Sequence, residues 1–314
     1  MGTPEFAEKI FCSFYDALKD KFEIIAVITA QDKPKGRKQI LTPSPVKLWA
    51  QENNLSVLQP DKIRKPEWIE KIKALAPDLI ILCAYGQIIP QEILDIPKYK
   101  ALNIHPSLLP KYRGASPIQS VILNGQTETG VCLMIMDAEM DHGPIIQNSK
   151  FEIQNSKITF NKLADQLADL GAELLIKTLP DYIEGKIKPQ EQDHSQATLC
   201  KLIKKEHGKI DWNKSAEEIE RQIRAFAEWP TAYTEIRNPK SETRNNLKIL
   251  NAETLNQKTD KKIGEVFLAD KKELAVQAGN GILILKQLQL EGKKPMSTRD
   301  FLNGHPEIIG SILQ

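Results

Sequence analysis

The chain has 314 residues, 41% of them hydrophobic and 27% charged, with a formal net charge of +2. This length supports two domains with a core each, and the balanced charge excludes a globally basic nucleic-acid coat, so any anion-binding surface must be local. Cys12, Cys83, Cys132 and Cys200 are far apart and form no C-x-x-C pair, as expected for reduced core thiols in a cytoplasmic protein. The most apolar stretch, LIILCAYGQII, is too short to span a bilayer and is bracketed by Pro77, Asp78 and Pro90, so a buried strand is expected and no membrane partner.

In chain order, residues 22–29 (FEIIAVIT) are apolar almost without a break, the pattern of a parallel strand covered on both faces. Residues 55–58 and 79–84 repeat it. Ser44-Pro45 begins one intervening helix and Pro66 another, in which Ile69, Ile72 and Leu75 recur at helical spacing. Alternating strands and helices predict an α/β fold with a doubly wound, mostly parallel sheet, whose ligands lie outside the carboxyl ends of the strands. Tyr85, Gly86, Gln87, Asn103, His105 and Asp141 all fall there. Residues 31–47 set Lys33, Lys35, Arg37, Lys38 and Lys47 against the single acid Asp32, which describes either a solvated loop or a phosphate-contacting arm.

Residues 101–146 concentrate the chemistry. Asn103 and His105 alternate at the end of a short apolar strand, so both side chains point to one side of the sheet. Pro106 then bends the chain, and Ser107, Leu108, Leu109 and Pro110 make a stiff loop able to hold backbone groups against a flat ligand. Ser116 and Pro117 start a helix that ends near Gly125, and a second strand, GVCLMIMD, leads into a turn carrying Asp141. An amide, an imidazole and a carboxylate on neighbouring strand ends suit acyl transfer: two donors for a developing oxyanion, and an acid that orients the ring and accepts a proton from an amine. The same spacing also suits a merely structural, hydrogen-bonded histidine.

Farther on, residues 145–153 read as a strand, and Thr159 caps a long helix with a stripe at Leu163, Leu167, Leu170, Leu174 and Leu175. Periodicity is lost over 185–202, the expected linker, where His194 reads as a solvated residue without a partner. The predicted organisation is therefore 1–184, a linker at 185–202, and a second domain at 203–314. This second domain opens with a capping box at Ser215 and Glu218 and continues in short strands that suggest a small oligonucleotide-binding (OB)-like β-barrel. Its Lys204, Lys205 and Lys209 could face RNA or simply solvent, and Trp212 and Trp229 read as core. No Gly-x-Gly-x-x-Gly occurs, and His105, Asp141 and His142 lack the pattern of a metal site, so neither a dinucleotide nor a metal is expected.

The run N-x-H-P-S-L-L-P-K-Y-R-G, with M-D-x-x-x-D-x-G after it, resembles the signature of the 10-formyltetrahydrofolate-dependent formyltransferases. The resemblance implies that Asn103, His105 and Asp141 are the catalytic trio. It implies too that Ser107, Leu108, Leu109, Pro110, Tyr85, Gly86 and Gln87 border the folate, and that the backbone from Asp137 to Asp141 approaches its pterin. D-x-P-x-G-R followed by P-S-P-V-K is similar to the inserted loop with which methionyl-tRNA formyltransferases grip the acceptor stem, implying tRNA contacts at Lys35, Arg37 and Lys38. KKEHGKIDW, IRAFAEWP and QLEGKKPMSTRDFLNG resemble landmarks of the C-terminal domain of that branch, implying further contacts at Lys204, Lys205 and Lys209. The implied activity is transfer of the formyl group of 10-formyltetrahydrofolate to the amine of methionyl-initiator tRNA by a monomer needing no metal. The alternative acceptor is a small amine, glycinamide ribonucleotide or an amino sugar nucleotide, and MDHGPI is closer to the glycinamide ribonucleotide enzymes. MGTPEFA resembles the turn after the family's first strand, yet no strand precedes it. A late start or a truncation is expected, with unpaired backbone in the sheet.

Overall fold

In a computed structural model, which describes residues 1–36, 39–237, 244–257 and 259–314, the apolar run at 22–29 is a strand only at Val27–Ile28. Its partner strand is equally short. On one side it pairs in parallel with Val57–Leu58. On the other, the Gly2 N–H donates to the Ile28 carbonyl at 3.0 Å, while the Met1 carbonyl accepts from Cys83 N–H at 2.9 Å. Met1 and Gly2 thus hydrogen-bond to the residues on both sides. A Cβ on Gly2 would lie 2.6 Å from the Phe11 ring and 2.8 Å from the Cys83 carbonyl, so only glycine fits this slot. The Met1 amine donates to the Ile81 carbonyl at 2.5 Å, and burial pulls its pKa down to about 5.

The chain forms two compact units, Met1–Pro117 with Thr127–Ile153 and Ala164–Cys200, and Ile118–Gln126 with Gln154–Leu163 and Lys201–Gln314. In the first, Ile80–Leu82 runs parallel to Ala101–His105, and Glu128–Ile135 and Ile145–Glu152 extend the sheet antiparallel beyond it. Ala101–His105 is therefore an interior strand, with Asn103 opposite Leu82 and Met134. Helix Glu5–Leu18 buries Ala7, Ile10, Phe11, Phe14 and Leu18. The helix Phe160–Ile183 comes close enough that a Cβ on Gly171 would sit 3.2 Å from both Ile10 and Ile104. Ser44 caps Pro45–Glu52 through its Oγ, as its position before proline predicts.

The stretch read as a linker is tied to the first unit over much of its length. Gln190 exchanges two backbone hydrogen bonds with Ile145 at 2.8 Å each, and Leu199–Cys200 pairs in parallel with Arg113–Gly114. These pairings are one or two residues long, too short to need an apolar period, and so leave none in the sequence.

In the second unit, Ser215 and Glu218 form the expected capping box on helix Ala216–Ala225. The OB-like β-domain orders its antiparallel strands as Tyr233–Arg237, Arg244–Leu255, Ile282–Leu290, Leu274–Gln277 and Val266–Leu268, with Met296–Ser297 added to Ile282–Leu290. The chain end links the two outer strands: Val266 N–H donates to the Ser311 carbonyl at 2.9 Å, and Glu235 N–H to the Gln314 carbonyl at 3.0 Å. Trp212 is core and donates to Thr234 Oγ1 at 3.0 Å. Trp229, also expected in the core, is 53% exposed, because the turn that carries it buries Pro230 and Thr231 instead.

Candidate active site

Asn103 and His105 leave the same face of Ala101–His105, and the turn after Glu128–Ile135 brings Asp141 to them. The turn is tight. Ile135 N–H donates to the Pro144 carbonyl at 2.9 Å, and a Cβ on Gly143 would fall 2.1 Å from the Ile135 carbonyl oxygen, a contact only glycine avoids. Asp141 has a left-handed backbone, φ 50°, which costs about 1 kcal/mol or more in a non-glycine residue and persists only where the surroundings impose it.

The three groups converge on one carboxylate oxygen. Asn103 Nδ2 donates to Asp141 Oδ1 at 3.3 Å, and His105 Nδ1 lies 3.6 Å from the same atom. The other oxygen, Oδ2, accepts from Gly114 N–H at 2.8 Å. His105 is 4% exposed, and its Nε2 is 3.0 Å from the Tyr112 carbonyl. A carbonyl only accepts, so Nε2 carries the hydrogen, and Nδ1, facing Asp141, is the nitrogen available to exchange a proton. An amide donor, a proton-exchanging ring and an anchored carboxylate therefore surround one small volume.

The loop after His105 turns its side chains inward. Ser107 is fully buried with Oγ donating to the Lys111 carbonyl at 2.7 Å, Leu109 packs with Cys132 and Met134, and Leu108 lies against Gly130, where a Cβ would come within 2.5 Å of it. Tyr85 belongs to the core, and the Gln87 amide is spent on Ile63 N–H at 2.8 Å and the Pro60 carbonyl at 3.1 Å. What this segment offers outward is the Gly86 backbone and the Ile88 side chain, 82% exposed. Asp137 is held by its own turn, accepting from Glu139 N–H at 3.0 Å and from His142 Nδ1 at 2.7 Å.

The basic loop is an antiparallel hairpin, Lys33–Lys35 with Ile40–Thr42. Arg37, Lys38 and the side chain of Lys35 lie outside the described residues. Lys47, counted among the cations of this arm, pairs with Asp32 at 2.8 Å, and that hydrogen bond, with one from Gln59, holds the Asp32 carboxyl below its ordinary range. Ile40 and Leu41 are 63% and 66% exposed. The sequence reading overlooked this apolar pair, although two large aliphatics inside a run of cations and prolines were its signal. Lys204 and Lys205 are exposed, and Lys209 pairs with Glu235 at 3.0 Å. Sequence reasoning also missed Gln192 and the partners of His194. The His194 ring stacks on His142 at 4.0 Å and its Nδ1 is 2.8 Å from Arg113 Nη2. Nothing in the polar 185–202 run marks either residue.

A family model described as formyl transferase matches residues 1–179, and one described as formyl transferase, C-terminal domain, matches residues 202–306. A methionyl-tRNA formyltransferase of Bacillus velezensis is 41% identical over 314 residues, covering 100% of this chain and 96% of the relative. This chain belongs to the methionyl-tRNA formyltransferase family. Another methionyl-tRNA formyltransferase, from Sulfurihydrogenibium sp., is 43% identical over 97% of the chain and 95% of its own length. The solved structure of an N-formyltransferase from Helicobacter canadensis, in complex with folinic acid and dTDP-3-aminofucose, superposes with a TM-score of 0.61 at 23% identity over 90% of this chain and 97% of that one, a likeness of fold. Membership of the formyltransferases thus extends over both units.

Proposed function

We propose that this chain transfers the formyl group of 10-formyltetrahydrofolate to the α-amine of methionine carried by initiator tRNA. The observation that carries the reading is the convergence of Asn103 and His105 on Asp141 Oδ1, in a chain 41% identical to a methionyl-tRNA formyltransferase from end to end. The folate, when bound, supplies a formyl group already bonded to a nitrogen leaving group. The residues present fit its flat ring system: the 107–110 loop offers backbone with its side chains turned away, and Ile88 and Met140, 82% and 61% exposed, offer apolar surface on the segments expected to border it.

The roles follow from hydrogen-bonding capacity. As the amine adds to the formyl carbon, negative charge grows on the formyl oxygen, and the Asn103 amide donates to it, an interaction whose removal typically costs about 2.7–4 kcal/mol. His105, held by Tyr112 through Nε2, donates from Nδ1 once that nitrogen is protonated. Asp141 keeps the ring aligned and accepts a proton from the attacking amine; when the bond from the formyl carbon to the folate nitrogen breaks, that proton passes through the ring to the departing nitrogen. No protein nucleophile is required, because the substrate amine is one.

The hairpin with its cations and the exposed lysines 204 and 205 are the proposed tRNA contacts, working through phosphate neutralisation. A single chain in the cytoplasm, acting as a monomer, completes the reading. The test offers the purified protein 10-formyltetrahydrofolate with charged initiator tRNA, glycinamide ribonucleotide or an amino sugar nucleotide. Formylmethionyl-tRNA is the expected product; preference for either small amine would replace the acceptor while keeping the chemistry.

A further inference from the structure

Asp141 and Gly143 present two backbone carbonyls, and one side chain from a distant segment holds both. Gln192 Nε2 donates to the Asp141 carbonyl at 3.0 Å and to the Gly143 carbonyl at 2.7 Å. Its Oε1 accepts from Arg113 Nε at 3.1 Å and from Arg113 Nη2 at 2.6 Å. The orientation of the amide follows from these partners: a guanidinium only donates and a carbonyl only accepts, so the oxygen must face Arg113 and the nitrogen the turn. Both side chains are 6% exposed. The amide therefore cannot exchange these partners for water without opening the loop.

Arg113 is itself fixed on two sides. Its second acceptor is His194 Nδ1 at 2.8 Å, and its backbone N–H donates to the Thr198 carbonyl at 2.8 Å. The next residue, Gly114, supplies the N–H on Asp141 Oδ2. One strap, residues 190–200 laid against Arg113–Gly114, thus controls the Asp141 backbone through Gln192 and lies beside the donor to its carboxylate.

We propose that Gln192 is a positioning residue for formyl transfer, resting on the function proposed above: it locks the left-handed backbone of Asp141 and so sets where that carboxylate meets Asn103 and His105. It touches no reacting atom. Without the two donated hydrogen bonds the turn keeps its glycine and its sheet connections, but the direction of the Asp141 side chain relaxes. Misplacement of a reacting group by about 1 Å can cost up to about a hundredfold in rate, while substrate binding through other contacts is untouched.

The test uses the full chain with Gln192→Glu and Gln192→Leu. Gln192→Glu retains shape and the acceptor for Arg113 but turns an oxygen toward the two carbonyls, and Gln192→Leu removes the donor without adding a charge. Both variants are expected to lose kcat by about tenfold or more, with KM for methionyl-tRNA and for 10-formyltetrahydrofolate within about twofold of the unaltered chain. Thermal unfolding, followed alongside, reports the folded fraction. A folded variant that keeps kcat, a loss carried by KM, or a loss that tracks the unfolded fraction in both variants overturns the proposal. Failure of the unaltered chain to formylate methionyl-tRNA overturns the functional reading itself, and the clamp falls with it.

Discussion

The backbone N–H of Gly114 donates to Oδ2 of Asp141 at 2.8 Å, so the carboxylate is held from the side opposite Asn103 and His105. Gly114 has φ 114°, and a Cβ there would lie 2.4 Å from the Cys200 carbonyl oxygen. Gly114→Ala must therefore move either its own backbone or the 199–200 strand. We expect a loss of about 2 kcal/mol or more in stability, and a fall in turnover larger than unfolding explains. Urea unfolding and initial rates measured on one preparation check this; unchanged turnover would mean that the Gly114 contact is incidental.

Asn103→Ala and His105→Ala each remove a donor proposed for the formyl oxygen. Turnover should fall by about 10²–10³-fold for Asn103→Ala, with methionyl-tRNA binding retained. His105→Ala should fall at least as far, since the ring also exchanges a proton. Steady-state rates and direct tRNA binding separate the two effects.

Arg37→Ala and Lys38→Ala test the arm. Each phosphate contact removed should weaken tRNA binding and flatten the dependence of log K on log salt by about 0.7–0.9. Folate binding should not change. Equal loss of both ligands would contradict the assignment of this hairpin to the tRNA.

The four thiols should differ in reactivity. Cys83, Cys132 and Cys200 are buried, and burial pushes the Cys132 thiol up to about 12 and that of Cys83 also well above its ordinary value. A raised thiol pKa leaves little thiolate at pH 8, so alkylation of the native protein should mark Cys12 first. Cys12 should itself react more slowly than a free thiol, because partial burial and then Asp16 and Glu8 raise its pKa. Mass spectrometry of partly alkylated protein reads the order, and early labelling of Cys132 would contradict the packing around Leu109.

Much of this was legible from local signals. The two-residue spacing of Asn103 and His105 predicts one face of a strand, the Ser44-Pro45 and Ser215/Glu218 signatures predict helix starts, and the helix from Pro66 follows its apolar period; all of these are present. What was not legible depends on partners far away in sequence. Residues 22–26 have a strand's composition, yet the partner strand offers only Val57–Leu58, and the ladder is confined to Val27–Ile28. Gln192 sits in a polar run like any surface glutamine, and only the Arg113 guanidinium and the two carbonyls of the Asp141 turn give it work to do. Lys47 looked like one more cation until Asp32, fifteen residues earlier, came within 2.8 Å.

The claim that Asn103, His105 and Asp141 act together on one small group is tested most directly by a double-mutant cycle in single-turnover formylation of methionyl-tRNA. Groups that work as a unit are far from additive. His105→Ala combined with Asp141→Asn should be no slower than the worse single variant by more than about threefold. Losses that instead multiply across the pair would mean that ring and carboxylate act independently, and the account given for this site would be wrong.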